Sequence, residues 1–183
     1  MDAGAHVTRT EMPTAALRVR ALSWRTGSEV EGLDLRRSAD IPESTIRDLW
    51  QLLGERGILL FRNQHLDHDQ HLAFTRRFGS LAKTGLLGRH APPGYPDLFT
   101  VTNIKTDGKR SETENAAQQW HSDQSFLPVP ARASLLRCVH APQYGGDTMF
   151  ANMFQAYEAL SEGLRATLEP LRAAVRKNLD SFR

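Results

Sequence analysis

A histidine two residues ahead of an aspartate, within Gln119-Trp120-His121-Ser122-Asp123-Gln124-Ser125-Phe126, sets the tightest limit on what this chain can fold into. Along an extended strand, residues i and i+2 point to one face, so an extended segment here projects His121 and Asp123 side by side. A neutral imidazole and a carboxylate so placed suit two neighbouring positions on a divalent metal. With a third ligand from elsewhere they make a two-histidine, one-carboxylate face that leaves three positions open.

The motif alone is weak evidence. Seven His and eleven Asp in 183 residues make one chance match unsurprising, and a second occurs at His65-Leu66-Asp67. Its surroundings, Gln64 to His71, are rich in metal-binding residue types, but Asp67 followed by Gln70 reads as a capping box. Leu72, Phe74 and Phe78 then supply an apolar helical face and Gly79 a stop. The 65–71 cluster is therefore expected to be a solvated helix start, and the 119–126 stretch the site.

Composition narrows the alternatives. With 23 basic and 21 acidic residues, the formal charge of +2 gives no general pull toward nucleic acid or a membrane surface, and none is expected as a partner. The Arg pairs at 36–37 and 76–77 read as solvated faces. A single cysteine, Cys138, excludes an internal disulfide, lacks a zinc-type Cys/His pattern, and reads as core packing in a reducing, cytoplasmic setting. No apolar run reaches membrane-span length, and residues 1–16 read as a loose tail without a signal peptide's apolar block.

In chain order, residues 17–22 read as a strand with one wet face, and 27–35 hold a short strand between glycine turns. Ile46, Leu49, Trp50 and Leu53 fall on one helical face, predicting a helix over 41–53, with Asp40 and Glu43 at its start, Pro42 in its first turn, and Gly54 and Gly57 ending it. Residues 58–61 have the unbroken apolar character of a buried strand. A helix over 68–78, a loop over 82–97, a strand over 98–104 and a polar excursion over 105–115 follow. Residues 134–139 read as another strand and Tyr144 to Thr148 as a tight turn. Asn152 with Gln155, and then Ser161, cap two short helices; Pro170 closes the second, and 171–175 begin one more strand.

Strands carrying a His-x-Asp, a glycine turn and flanking helices suit an antiparallel barrel wrapped by helices. Four features occur in order: Phe78-Gly79, Trp120 to Phe126, Pro142 to Thr148 with Gly145-Gly146-Asp147-Thr148 at its end, and Ala156-Tyr157-Glu158-Ala159-Leu160. On these, residues 17–183 resemble the taurine dioxygenase and 2,4-D dioxygenase (TauD/TfdA) family. The resemblance implies a mostly β domain with flanking helices, a double-stranded β-helix of jelly-roll, clavaminate synthase-like type. It also implies Fe(II), with 2-oxoglutarate and O2 as cosubstrates, and hydroxylation of a small organic acid, aryloxyacid- or sulfonate-like, with 2-oxoglutarate decarboxylated to succinate. By the same resemblance His121 and Asp123 are iron ligands and Thr148 donates to a carboxylate of 2-oxoglutarate. Trp120 is expected to be core support beside the iron, and His90 and His140 ordinary loop histidines.

The chain also departs from the family. Ala117 stands where relatives commonly carry an asparagine, with Asn115 nearby, and Thr84 aligns with the sulfonate-contacting histidine of the taurine enzyme. The run through Asp107-Gly108-Lys109 looks closer to the phenoxyacetate branch. The family's second histidine and its cosubstrate-binding arginine lie further downstream than the 60 residues that follow Asp123 here. The expectation is therefore a domain incomplete at its C-terminal strands and inactive alone. The other reading is a non-catalytic remnant that serves as an interaction or subunit partner; a homo-oligomer is compatible with either.

Overall fold

The computed structural model describes residues 17–82, 90–105, 108 and 119–175. These fall into two compact units divided between Phe78 and Gly79.

The first unit is built on β1 (Arg18–Ala21), β2 (Ser28–Glu31) and β3 (Leu59–Leu60), in the order β1-β2-β3. β1 pairs antiparallel to β2 in the register Val19↔Val30, whereas β2 and β3 run parallel through Ser28↔Leu59 and Glu29↔Leu60. A parallel pair needs a crossover, which the 3-10 segment Leu35–Asp40 and helix α1 (Glu43–Arg56) supply. Helix α2 (His68–Arg76) packs against the 3-10 segment. The expectation of one wet face on β1 is not met, because all four of its residues are exposed. The 58–61 strand is shorter than expected, with Leu59 and Leu60 half-buried.

Helix α1 forms where the periodicity predicts it, burying Ile46 and Leu49, with Leu49 at 0% exposure. Full burial of such a leucine is worth roughly 2 kcal/mol. Its ends differ from expectation. Pro42 occupies the N-cap with no side-chain cap bond, while Asp40, further out, pairs with Arg37 at 2.7 Å. Gly54 lies within the helix, and Gly57 ends it at φ 72°, donating its N–H to the Leu53 carbonyl at 2.7 Å.

Val30, Leu35, Ile41, Leu72 and Phe74 complete the core with Ile46 and Leu49. Edge-to-face ring pairs run from Trp50 to Phe78, Phe78 to Phe74, and Phe74 to Phe61, with centroids 5.4, 5.2 and 5.8 Å apart. Polar groups at the margins are paired. Glu29 is buried between Arg20 and Arg62, the latter at 3.0 Å. Burial raises the Glu29 carboxyl's pKa, but the hydrogen bonds and charges of the two arginines outweigh it and hold the group below its ordinary value.

Arg77 is not the solvated residue that its sequence neighbourhood suggests. Its side chain is only 17% exposed and donates to the carbonyls of Ser38 and Ile41 and to Glu43. It thus ties the end of α2 to the junction between the 3-10 segment and α1.

In the second unit the described secondary structure is α3 (Met153–Glu158) and α4 (Glu162–Leu168). The side chains of Asn152 and Ser161 accept from the N–H groups of Gln155 and Leu164, as the sequence predicts. The strands expected over 98–104, 134–139 and 171–175 do not form ladders, and among the described residues the only sheet is that of the first unit. Residues 131–138 still alternate between half-buried and exposed, the trace of a strand's two faces, with no paired strand among the described residues. No described residue of this unit is buried. Cys138, expected in the core, is exposed, as are Trp120, Leu136, Met149, Phe150 and Phe154.

Candidate metal centre

His121 and Asp123 lie on irregular backbone rather than on the expected strand, yet their side chains meet. His121 Nε2 stands 3.3 Å from Asp123 Oδ1, with the two side chains 49% and 57% exposed. His121 Nδ1 lies 2.7 Å from the Gln119 carbonyl. A carbonyl can only accept, so Nδ1 carries a proton in this contact, and Nε2 is the ring nitrogen that faces Asp123. Ligating histidines are commonly oriented by such a bond from the other ring nitrogen.

The aspartate is held as well. Its second oxygen, Oδ2, accepts from the Ser134 hydroxyl at 2.6 Å. The backbone reverses immediately after it: Gln124 adopts φ 56°, and the Leu127 N–H donates to the Gln124 carbonyl at 2.8 Å. A left-handed glutamine is uncommon and identifies a turn that the surroundings impose.

The 3.3 Å separation suits a shared metal. Two donor atoms each about 2.1 Å from an ion and at right angles lie about 3 Å apart. Neutral nitrogen and carboxylate oxygen are also donors that a borderline divalent ion accepts. The pair does not close a site: among the described residues no group of three His, Cys, Asp or Glu side chains could hold a metal.

Thr148 is exposed, two residues beyond Gly146. Gly145 and Gly146 both adopt φ 72°, and a Cβ on Gly146 would stand 3.2 Å from Pro142 Cγ, so this turn requires glycine. Trp120, expected as core support, is 69% exposed. His140 is an exposed loop residue as expected, whereas His90 packs edge-on against Phe99 at 5.7 Å. Ala117, Asn115, Thr84, Asp107 and Lys109 lie outside the described residues. At the rival motif, Asp67 and Gln70 form both bonds of the capping box, at 2.8 and 2.9 Å. Sequence reasoning missed Ser134 and Gln124, since no spacing rule reveals a hydroxyl eleven residues from the carboxylate it binds.

A nitrogen and an oxygen donor converging beside solvent is what a mononuclear metal enzyme needs on one side of its ion. The family model "Taurine catabolism dioxygenase TauD, TfdA family" matches residues 18–179, and the chain belongs to that family. It is 39% identical over 154 residues to the alpha-ketoglutarate-dependent 2,4-dichlorophenoxyacetate dioxygenase of Cupriavidus pinatubonensis, covering 79% of this chain and 53% of that protein. It is 31% identical over 162 residues to the alpha-ketoglutarate-dependent sulfate ester dioxygenase of Pseudomonas putida, covering 86% and 48%. A crystal structure of a taurine dioxygenase from Burkholderia xenovorans superposes with a TM-score of 0.68 at 32% identity, over 84% of this chain and 51% of that one. The chain thus spans about half the length of the relatives it matches. No helix among the described residues is long and apolar enough to cross a membrane.

Proposed function

We propose that these residues are the leading part of a double-stranded β-helix dioxygenase domain, with His121 and Asp123 as two of its three Fe(II) ligands. The observation that carries this reading is the convergence of His121 Nε2 and Asp123 Oδ1, with Nδ1 tied back to Gln119, inside a family match that spans most of the chain. By the resemblance, a second histidine completes such a metal site and an arginine binds 2-oxoglutarate.

The net reaction is R–H + 2-oxoglutarate + O2 → R–OH + succinate + CO2, and the iron, when bound, supplies the oxygen-activating chemistry. This chain's part is binding and orientation. His121 offers Nε2 because its other nitrogen is committed to a carbonyl, and Asp123 offers Oδ1 because Oδ2 is committed to Ser134. The Gly145-Gly146 turn leads into exposed Thr148, whose hydroxyl would donate to a carboxylate of 2-oxoglutarate. As substrate we propose a small organic acid of the aryloxyacid or sulfate-ester and sulfonate class, by similarity to relatives named for such compounds.

The test is succinate release from 2-oxoglutarate with 2,4-dichlorophenoxyacetate and alkyl sulfates as substrates. Residues 1–183 are compared alone and fused to the second half of the Cupriavidus relative. The fusion is expected to couple succinate to substrate hydroxylation and to lose this with His121→Ala or Asp123→Ala, while residues 1–183 alone release none. Activity in the fusion that survives His121→Ala overturns the ligand assignment. Substrate-coupled succinate from residues 1–183 alone overturns the need for a third ligand from outside them.

A further inference from the structure

We infer that Ser134 is a positioning residue for Asp123, fixing which carboxylate oxygen is offered to the metal; this rests on the metal reading of His121 and Asp123. An exposed aspartate head is nearly symmetric and broad in its last torsion, so unaided it presents either oxygen or both. Carboxylates bind divalent ions in one-oxygen or two-oxygen modes accordingly. Here the symmetry is broken. Ser134 Oγ donates to Oδ2 at 2.6 Å, within the short range of O–H···O⁻ bonds to a charged acceptor, and Oδ1 is the oxygen left facing His121 Nε2 at 3.3 Å. The hydroxyl thereby selects one-oxygen ligation by Asp123.

The loop between the two residues is built to return Ser134 to this point. Gln124 bends the chain at φ 56°, its carbonyl takes the Leu127 N–H, and its side-chain oxygen takes the Ala131 N–H at 3.1 Å. Ser134 follows three residues later, on the exposed side of the alternating 131–138 stretch. An exposed serine whose hydroxyl is bound to Asp123 contributes little to packing, so its removal separates a role at the carboxylate from a role in the fold.

The experiment uses Ser134→Ala, Ser134→Thr and Asp123→Asn in the 183-residue chain. Without metal, the side-chain carboxyl carbons of 13C-labelled aspartates are recorded at one fixed pH, the Asp123 resonance being the one lost in Asp123→Asn. With metal, Mn(II) affinity is measured by the paramagnetic resonance of the free ion, and thermal melting reports the fold. Ser134→Ala is expected to move the Asp123 resonance and to weaken Mn(II) about 10-fold, the lower end for outer partners of a metal ligand, because the site is half exposed. Ser134→Thr is expected to restore both, the melt to stay unchanged, and Ser134→Ala to have no further effect on Mn(II) in the Asp123→Asn background.

An unmoved resonance, an unchanged Mn(II) affinity, or an equal loss in the Asp123→Asn background overturns the role given to Ser134. Absence of any His121-dependent Mn(II) binding in the unsubstituted chain overturns the metal reading itself, and with it the purpose of the serine.

Discussion

Replacing Arg77 with alanine should be among the most damaging single changes to the first unit, although Arg77 lies outside its apolar core. Its guanidinium donates to the Ser38 and Ile41 carbonyls, the latter at 2.7 Å, and to Glu43 Oε1 at 2.6 Å. A hydrogen bond from a charged donor is worth about 1.5–3 kcal/mol when its removal strands a buried acceptor. Ser38 and Ile41 are both buried, but the Ser38 carbonyl keeps a second donor, the Ile41 N–H at 3.3 Å, so its loss is the smaller one. Glu43 is 71% exposed, which limits that ion pair to about 0.5 kcal/mol. Together these give about 3 kcal/mol for Arg77→Ala. Arg77→Lys should recover less than half, since an ammonium cannot reproduce the forked geometry. Urea unfolding followed by far-UV circular dichroism measures the difference, because α1 and α2 are the longest described helices. Exposed Arg76 is the internal control, expected within about 0.5 kcal/mol of the parent. If Arg77→Ala costs no more than Arg76→Ala at an unchanged denaturant slope, the clamp does not hold the unit together as described.

Two further outcomes follow from the first unit. Asp67→Ala removes the side-chain acceptor of the Gln70 N–H, leaving the residue-67 N–H to Gln70 Oε1 bond available, and should cost about 1 kcal/mol while leaving Mn(II) affinity unchanged; loss of metal binding at unchanged fold would reverse the assignment of the two His-x-Asp motifs. Glu29 has a folded-state pKa below its ordinary 4.5, so its contribution to stability is present above that value and is lost as pH falls through the lowered one. Acid titration of the melting temperature should therefore show a decline beginning below about pH 4.5 that is shallower in Glu29→Gln; equal slopes would remove Glu29 as a cause.

The parts of this structure legible in the sequence are the locally determined ones. Helices α1, α2, α3 and α4 follow from apolar periodicity and from side chains that reach only three residues, as at Asp67, Asn152 and Ser161. The parallel pairing of β2 with β3 was not legible, because period-2 alternation identifies a strand but not its neighbour. Arg77 and Glu29 were missed for a related reason: a charge is read as solvated unless its partners, distant in sequence, are known. Strands expected at 98–104 and 134–139 carry strand-like residues, but residue type alone forms no ladder. At the candidate site, His121 and Asp123 were found by type and spacing, and their contact survives the loss of the strand that suggested it. Ser134 and the left-handed Gln124, which shape that contact, depend on a turn that only the three-dimensional path reveals.

The central claim is that His121 and Asp123 share one metal ion and that this ion binds 2-oxoglutarate. Anaerobic titration of the chain with Fe(II) in the presence of 2-oxoglutarate, read as the visible metal-to-ligand charge-transfer band, tests it most directly. With two protein ligands the account predicts a band that develops only with excess Fe(II), disappears on adding a chelator, and is absent from both His121→Ala and Asp123→Ala. A band of undiminished intensity in either variant would contradict it.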